Sequence, residues 1–173
     1  MSDNSSPDPV DPAEFRKLMG LFATGVCVVS FGAREKHDGA RISGMTINSL
    51  LSVSLDPMLV CWSLQNASSQ FAEYAGADHF GFSILSADQQ ALARRYAARG
   101  DSTLNAGDFE WTANGIPIVK NALAVIECRR WAQHPAGDHT LILGEVLGIT
   151  GPPAGIAVPS ALGFFGGHFC PVG

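Results

Sequence analysis

Charge is scarce in this chain of 173 residues: Asp, Glu, Lys and Arg together make up 16% of it, against 46% hydrophobic residues. With so little charge, exterior surface is either scarce or partly used for contact with another subunit, and a homodimer is favoured. The net charge is −5, and basic residues approach clustering only at Arg94, Arg95, Arg99 and the Arg129–Arg130 pair. That balance argues against non-specific nucleic-acid binding. No apolar run reaches the ~20 residues of a spanning helix, and the N-terminus has no basic-then-apolar leader pattern, so no membrane role and a cytoplasmic location are expected. Neither a Gly-x-Gly-x-x-Gly nor a phosphate-binding Gly-x-x-x-x-Gly-Lys-Ser/Thr loop occurs, which disfavours a Rossmann fold or a P-loop. Cys27, Cys61, Cys128 and Cys170 form no Cys-x-x-Cys pair and read as reduced structural residues. His37, His79, His134, His139 and His168 lack metal-ligand spacing, so no metal site is expected. Without a Gly-x-Ser-x-Gly elbow, serine hydrolysis is set aside as well.

What the sequence does contain is a polar interruption in an apolar run. Met45 to Pro57 carries Thr46, Asn48, Ser49, Ser52 and Ser54 where a purely structural strand would carry aliphatic residues. A solvent-faced strand gives the same alternation. A second hydroxyl group follows one apolar strand later, at Ser63, Ser68 and Ser69. Two such segments could share a polar, phosphate-bearing aromatic ligand, with Asn66 to Gln70 opening a short helix at Phe71 whose free N–H groups would attract an anion.

Around these segments the elements read in order. Residues 1–10 form a disordered tail and 11–173 a single domain. Asp11-Pro12 starts a helix bearing Phe15, Leu18, Met19 and Phe22 and ending at Thr24-Gly25. Val26 to Phe31 and the segment from Ile42 form a hairpin, and Met58 to Leu64, almost wholly apolar, reads as a central strand. Phe80 to Leu85 is another strand, and Ser86-x-x-Gln89 is a capping box opening the helix with Leu92, Tyr96 and Ala97. Gly100 to Gly115 reads as a surface excursion. Ala122 to Ala132 and Leu141 to Ile149 are long strands joined across Gln133 to His139, and Ala161 to Phe165 is a short last one. About seven strands, mostly joined as hairpins, and three helices favour a closed or nearly closed antiparallel barrel.

Two further groups carry possible chemistry. Gly137-Asp138-His139-Thr140 places a His beside an Asp at a loop-to-strand junction; an exposed turn is the plain reading, since a sequence neighbour does not easily orient the ring. Ala161 to Phe169, rich in Phe and Gly, is either an ordinary edge strand or an aromatic wall open to a planar ligand.

Phe15…Met19-Gly20-x-Phe22-Ala23-Thr24-Gly25-Val26, Gly44-Met45-Thr46-x-Asn48-Ser49, Ser52-Val53-Ser54-Leu55-x-Pro57, and Gly137-Asp138-His139-Thr140 with Gly144-Glu145-Val146 occur in that order. Together they resemble the flavin reductase-like family of FMN-binding split barrels, over about Phe15 to Phe169. The resemblance implies a mainly β, antiparallel, Greek-key-like split barrel with a few peripheral helices. It further implies an NAD(P)H:flavin oxidoreductase that reduces FAD, or FMN, and releases the reduced flavin to a separate monooxygenase. Thr46, Ile47, Asn48 and Ser49 would then face the isoalloxazine edge, with Met45 also binding the flavin. Ser52, Ser63, Leu64, Gln65, Ser68, Ser69 and Phe71 would hold the rest of the flavin. His139, as the catalytic residue, with Asp138, Phe164 and Phe165, would contact the nicotinamide. No Arg is obviously placed for a 2′-phosphate, which favours NADH over NADPH. A non-catalytic flavin-binding or storage protein of the same fold is the alternative.

Overall fold

A computed structural model describes residues 10–35, 39–98, 105–155 and 157–173; the expected N-terminal tail up to Pro9, and His37, lie outside them. Asp11 opens α1 (Pro12–Met19): its Oδ1 accepts from Ala13 N at 2.9 Å, and Pro12 fills the first helical position, where its missing N–H costs nothing. The helix stops at Gly20 rather than at Thr24-Gly25. The latter pair forms β1 (Thr24–Gly25) instead.

The strands continue as β2 (Cys27–Glu35), β3 (Gly39–Ile47), β4 (Leu51–Leu55), β5 (Met58–Gln65) and β6 (His79–Ile84). After them come β7 (Phe109–Trp111), β8 (Pro117–Val119), β9 (Ala124–Ala136), β10 (His139–Thr150), β11 (Ala161–Phe165) and β12 (His168–Val172). α2 (Phe71–Gly76) follows β5, and α3 (Gln90–Ala97) follows β6 through a 3₁₀ turn at Ala87–Gln89. The Ser86/Gln89 capping box forms as expected, with Gln89 Oε1 accepting from Ser86 N at 3.2 Å.

Seven antiparallel strands form the main sheet in the order β3-β2-β6-β9-β10-β5-β4. Met45 to Pro57 is therefore not one polar strand. It ends β3, crosses Asn48 to Leu50 and begins β4, and those two strands occupy opposite margins of the sheet. Laid flat, seven strands would separate the margins by ~29 Å at ~4.8 Å per gap. The link from Ile47 to Leu51 spans at most ~15 Å, four Cα–Cα steps of ~3.8 Å. The sheet must curl into a barrel, and it stays split between β3 and β4, which are not paired.

Alternation along β2 fills two cores. Cys27 and Val29 point into the barrel with Trp62, Leu64, Tyr74, Phe80, Phe82 and Ile142. Val26 and Val28 point outward, to Leu85, Ala93, Tyr96, Phe109 and Leu162 beneath α3 and the β7–β8 hairpin.

Four expectations from the sequence need correcting. β5 is second from the margin, between β10 and β4, rather than central; its apolar side chains reflect burial inside a curled sheet. The Gly100 to Gly115 segment, where described, is not a surface excursion. Phe109 is buried, and Glu127 Oε2 holds the hairpin by accepting from Thr112 Oγ1 (2.8 Å) and Asn114 Nδ2 (3.0 Å). The β9–β10 hairpin runs closer to its turn than expected, leaving only Gly137-Asp138 between the strands. Finally, Gly166 and Gly167, at φ +58° and +83°, turn the chain back into β12, so β11 is the middle strand of a second sheet, β1-β11-β12, not an edge. With the described short strands included, there are more than the seven expected.

Candidate functional site

Among the described residues, three adjoining cavities open at the split. One of about 440 Å³ lies between the end of β3, the end of β5 and the C-terminus of α3, lined among others by Met45, Thr46, Leu64, Gln65, Ser68, Ser69 and Gln70. A second, about 160 Å³, shares Thr46 and Ala97 with it and adds Ile47, Asn48, Phe164 and Phe169. A third, about 680 Å³, shares Asn48 and Phe164 with the second and continues past Ser49, Ser63 and Leu141 to Arg16 and Met19 of α1. Eleven of the residues read from the sequence thus line one continuous cleft: Met45, Thr46, Ile47, Asn48, Ser49, Ser63, Leu64, Gln65, Ser68, Ser69 and Phe164.

Several of their polar groups already have partners. Thr46 Oγ1 donates to the Ala93 carbonyl at 2.8 Å, tying β3 to α3. Ser49 Oγ accepts from Ser63 N at 3.2 Å, fastening the β3–β4 link to β5. Asn48 Nδ2 donates to Thr24 Oγ1 at 3.3 Å, which leaves its carboxamide oxygen as an acceptor. Ser68 Oγ accepts from Gln70 N at 3.2 Å, and Ser68 N and Phe71 N donate to Gln65 O and Ser68 O at 3.0 Å each. The expected anion site at the start of α2 is therefore weak: the helix has six residues, and the N–H groups of Ser68, Gln70 and Phe71 are engaged locally. Exposed Gln65 and Ser69 remain the most available donors at this end of the cleft.

Ser52, Phe71, Asp138, His139 and Phe165 line none of these cavities. Ser52 is exposed on β4 opposite Val60, and Phe71 packs against the barrel core. Phe165 is 48% exposed at the end of β11. His139 begins β10 directly opposite Gln65, one residue from the cleft wall. Contrary to the sequence reading, Asp138 does hold its neighbour's ring, with Oδ1 2.8 Å from His139 Nδ1. That hydrogen bond, and then the charge of His139, draws the Asp138 carboxyl below its usual range.

Sequence reasoning missed the wall that α1 gives the third cavity through Arg16 and Met19, and the wall at the end of α3. Tyr96, Ala97 and Ala98, at the end of α3, close the 440 Å³ cavity. Burial, followed by a hydrogen bond to Asp108, pushes the Tyr96 hydroxyl up to about 12, and Arg95 Nη1 reaches the same carboxylate oxygen at 2.6 Å. The signal was the alanine spacing that lets the helix end approach β3, legible only once α3 is known to cross it. Among the described residues, no group of His, Cys, Asp and Glu converges as a metal site, and no helix is long and apolar enough to cross a membrane.

Comparison with known proteins extends the likeness across the fold. An FMN reductase (NADH) of Agrobacterium fabrum is 43% identical over 143 residues, covering 82% of this chain and 78% of that protein. The crystal structure of the flavin reductase component of a bacterial two-component tryptophan halogenase superposes with a TM-score of 0.82 at 32% identity, covering 94% of this chain and 98% of that one. The NADH:FAD oxidoreductase of Streptomyces globisporus, solved with NAD and FAD fragments, gives 0.81 at 33% identity over 96% and 95%. The flavin reductase like domain matches residues 19–173, which include the split, α3 and the second sheet alike. With a cleft at that split and relatives at these identities, the chain belongs to the flavin reductase-like domain family.

Proposed function

We propose that the protein is an NADH-dependent flavin reductase: it oxidises NADH, reduces FAD or FMN, and releases the reduced flavin to a separate flavin-dependent monooxygenase. The observation that carries this reading is the cleft at the split. Its cavities of about 440, 160 and 680 Å³ adjoin one another, and its polar groups are neutral hydroxyls and amides apart from Arg16 at one rim.

The polar lining fits a flavin. Asn48 sits where the 160 and 680 Å³ cavities meet, with its carboxamide oxygen left to accept an edge hydrogen bond from a planar heterocycle, and Ala97 and Phe164 supply apolar surface beside it. The bound flavin and nicotinamide supply the hydride chemistry themselves. What remains for the chain is to hold two rings in contact, exclude water between them and offer donors to developing charge. Thr46 and Ser49 fix the walls through their bonds to Ala93 and Ser63. Gln65 and Ser69 hold the flavin's polar chain. No carboxylate pair is needed. Ser52, Phe71 and Phe165, outside the cavities, remain assigned to the flavin or nicotinamide through the family resemblance. His139, held by Asp138, positions the nicotinamide: an ionised carboxylate only accepts, so Nδ1 donates to it whether the ring is charged or neutral, and in the neutral ring Nε2 is left to accept from a carboxamide NH₂.

A homodimer completes the assembly. Phe15, Leu18, Met19, Leu21 and Phe22 around α1, and Leu51, Val53, Leu55 and Met58 on β4 and β5, are all at least 49% exposed, an apolar face that a second copy would bury. Absence of a permanent charge clamp at Ser68 and Ser69 suits a flavin that leaves as product in the cytoplasm. The test is steady-state oxidation of NADH and NADPH with FAD, FMN and riboflavin. NADH turnover that depends on added flavin is expected; flavin binding without NADH consumption would mark a storage protein instead.

A further inference from the structure

The 440 and 160 Å³ cavities contain no charged lining residue, although every nucleotide such a cleft could hold carries phosphate. Neutral hydroxyls satisfy phosphate oxygens without neutralising them. One cation stands at the edge. Arg94 lies on α3 one turn before Ala97 and Ala98, so it shares their face of the helix. Its guanidinium lies 5.1 Å from the centroid of the Phe169 ring. Phe169 packs edge-on against Phe164 at 5.4 Å, and both rings line the 160 Å³ cavity. With the Gln90 carboxamide oxygen turned towards it, Arg94 donates Nε–H and Nη2–H at 3.1 and 2.9 Å.

The group is thus positioned and still has donors to offer. A guanidinium has five N–H bonds; Gln90 takes two, leaving three. Arg95, Arg129 and Arg130 each pair with a carboxylate, Asp108, Glu145 and Asp78 respectively. Among the described residues, none pairs with Arg94. Arg16, on the far rim, lies in the field of Asp138 and helps to lower its carboxyl. A planar fork stacked on an aromatic ring, with neutral support and no counter-charge, is the arrangement that recognises phosphate.

We propose that Arg94, stacked on Phe169 and braced by Gln90, binds the phosphate group of a nucleotide seated in this cleft, an assignment that rests on the cleft being the flavin and NADH site. The group belongs either to the flavin or to the nicotinamide dinucleotide, and one set of variants separates the two. Riboflavin, FMN and FAD are titrated into the full-length protein by fluorescence quenching, and the KM for NADH is measured, for wild type, Arg94→Gln, Arg94→Lys and Phe169→Leu. Arg94 is exposed, so the Gln and Lys variants should melt at the wild-type temperature.

Arg94→Gln is expected to weaken FMN and FAD about tenfold while riboflavin is unchanged, or to raise the NADH KM about tenfold while all three flavins are unchanged. The first result assigns the flavin phosphate, the second the dinucleotide. Arg94→Lys recovers part of the loss, and Phe169→Leu reproduces part of it. Unchanged constants throughout, or a riboflavin loss equal to that of FMN, overturn the proposal. If wild type oxidises no NADH, the reductase reading fails, while the contrast between riboflavin and FMN still decides the role of Arg94 in flavin binding.

Discussion

Asp138 and His139 meet at the turn between β9 and β10, directly across from Gln65 on the cleft wall. If the imidazole positions NADH, His139→Ala should raise the NADH KM roughly tenfold, about 1.4 kcal/mol or one hydrogen bond, with flavin affinity unchanged. Asp138→Asn should raise it less, because the ring remains and an amide can still hydrogen-bond Nδ1, but without the charge that fixes the tautomer; unchanged kinetics in both would remove the pair from the site. The depressed Asp138 carboxyl contributes stability above the ordinary carboxylate pKa, and that contribution is lost as pH falls through the lowered one. Its exposure keeps the effect small. At the alkaline end, the chain has only two tyrosines, and burial raises both, Tyr74 well above its ordinary value and Tyr96 to about 12. Protonation of Tyr96 therefore stabilises the fold fully below pH ~10 and ceases to do so as pH rises through about 12. Native protein at pH ~10.5 should show almost no phenolate absorbance, while denatured protein should be more than half titrated. Cys27 and Cys128, whose thiols burial likewise pushes up to about 12, should resist a thiol reagent that labels half-buried Cys170.

Between elements, one contact borders the cleft and another packs the barrel core. The Thr46 hydroxyl joins β3 to α3 through Ala93. Thr46→Val, which leaves that carbonyl short of a donor, should cost about 1 kcal/mol and lower the melting temperature by roughly 2–4 °C, with Thr46→Ser near wild type. Gly144 lies where β10 crosses the barrel core, and a Cβ there would stand 2.9 Å from Cys128 Cβ and 3.0 Å from the Phe80 ring. Gly144→Ala should destabilise by about 1–3 kcal/mol in a melting experiment, since neither neighbour can yield without moving a strand. Much of this level was legible in advance: the capping box at Ser86, the Asp11 cap and the β2–β3 hairpin follow from local chemistry. What escaped was non-local. Nothing in Met45 to Pro57 says that its halves occupy opposite margins of one sheet, since that is fixed by closure. β12 escaped because Gly166-Gly167 lies inside Ala161 to Phe169, read as one edge strand or aromatic wall rather than as a hairpin turn. Phe109 looked exposed because its polar neighbours hide a hairpin that Glu127 fastens to the sheet.

At the scale of the whole molecule, the barrel leaves apolar side chains exposed on α1, β4 and β5, and the proposed dimer would bury them and account for the low charge of the chain. Sedimentation equilibrium should give twice the 18.2 kDa chain mass. Leu55→Glu, at a residue 86% exposed in the single chain, should shift the protein towards monomer without unfolding it; a monomeric wild type would contradict the dimer. The residues of the candidate site were legible where the ligand edge is polar and contiguous in sequence, as at Met45 to Ser49, and illegible where a helix end supplies small side chains, as at Ala97 and Ala98. The central claim is that the cleft at the split brings NADH and flavin into contact so that electrons pass between them. The most direct test is to mix the protein anaerobically with oxidised flavin and NADH in a stopped-flow instrument and follow the flavin absorbance. Bleaching far faster than in a protein-free control, at a rate that saturates with NADH, is the predicted result. Quenched flavin fluorescence, showing a bound flavin, without bleaching would contradict it.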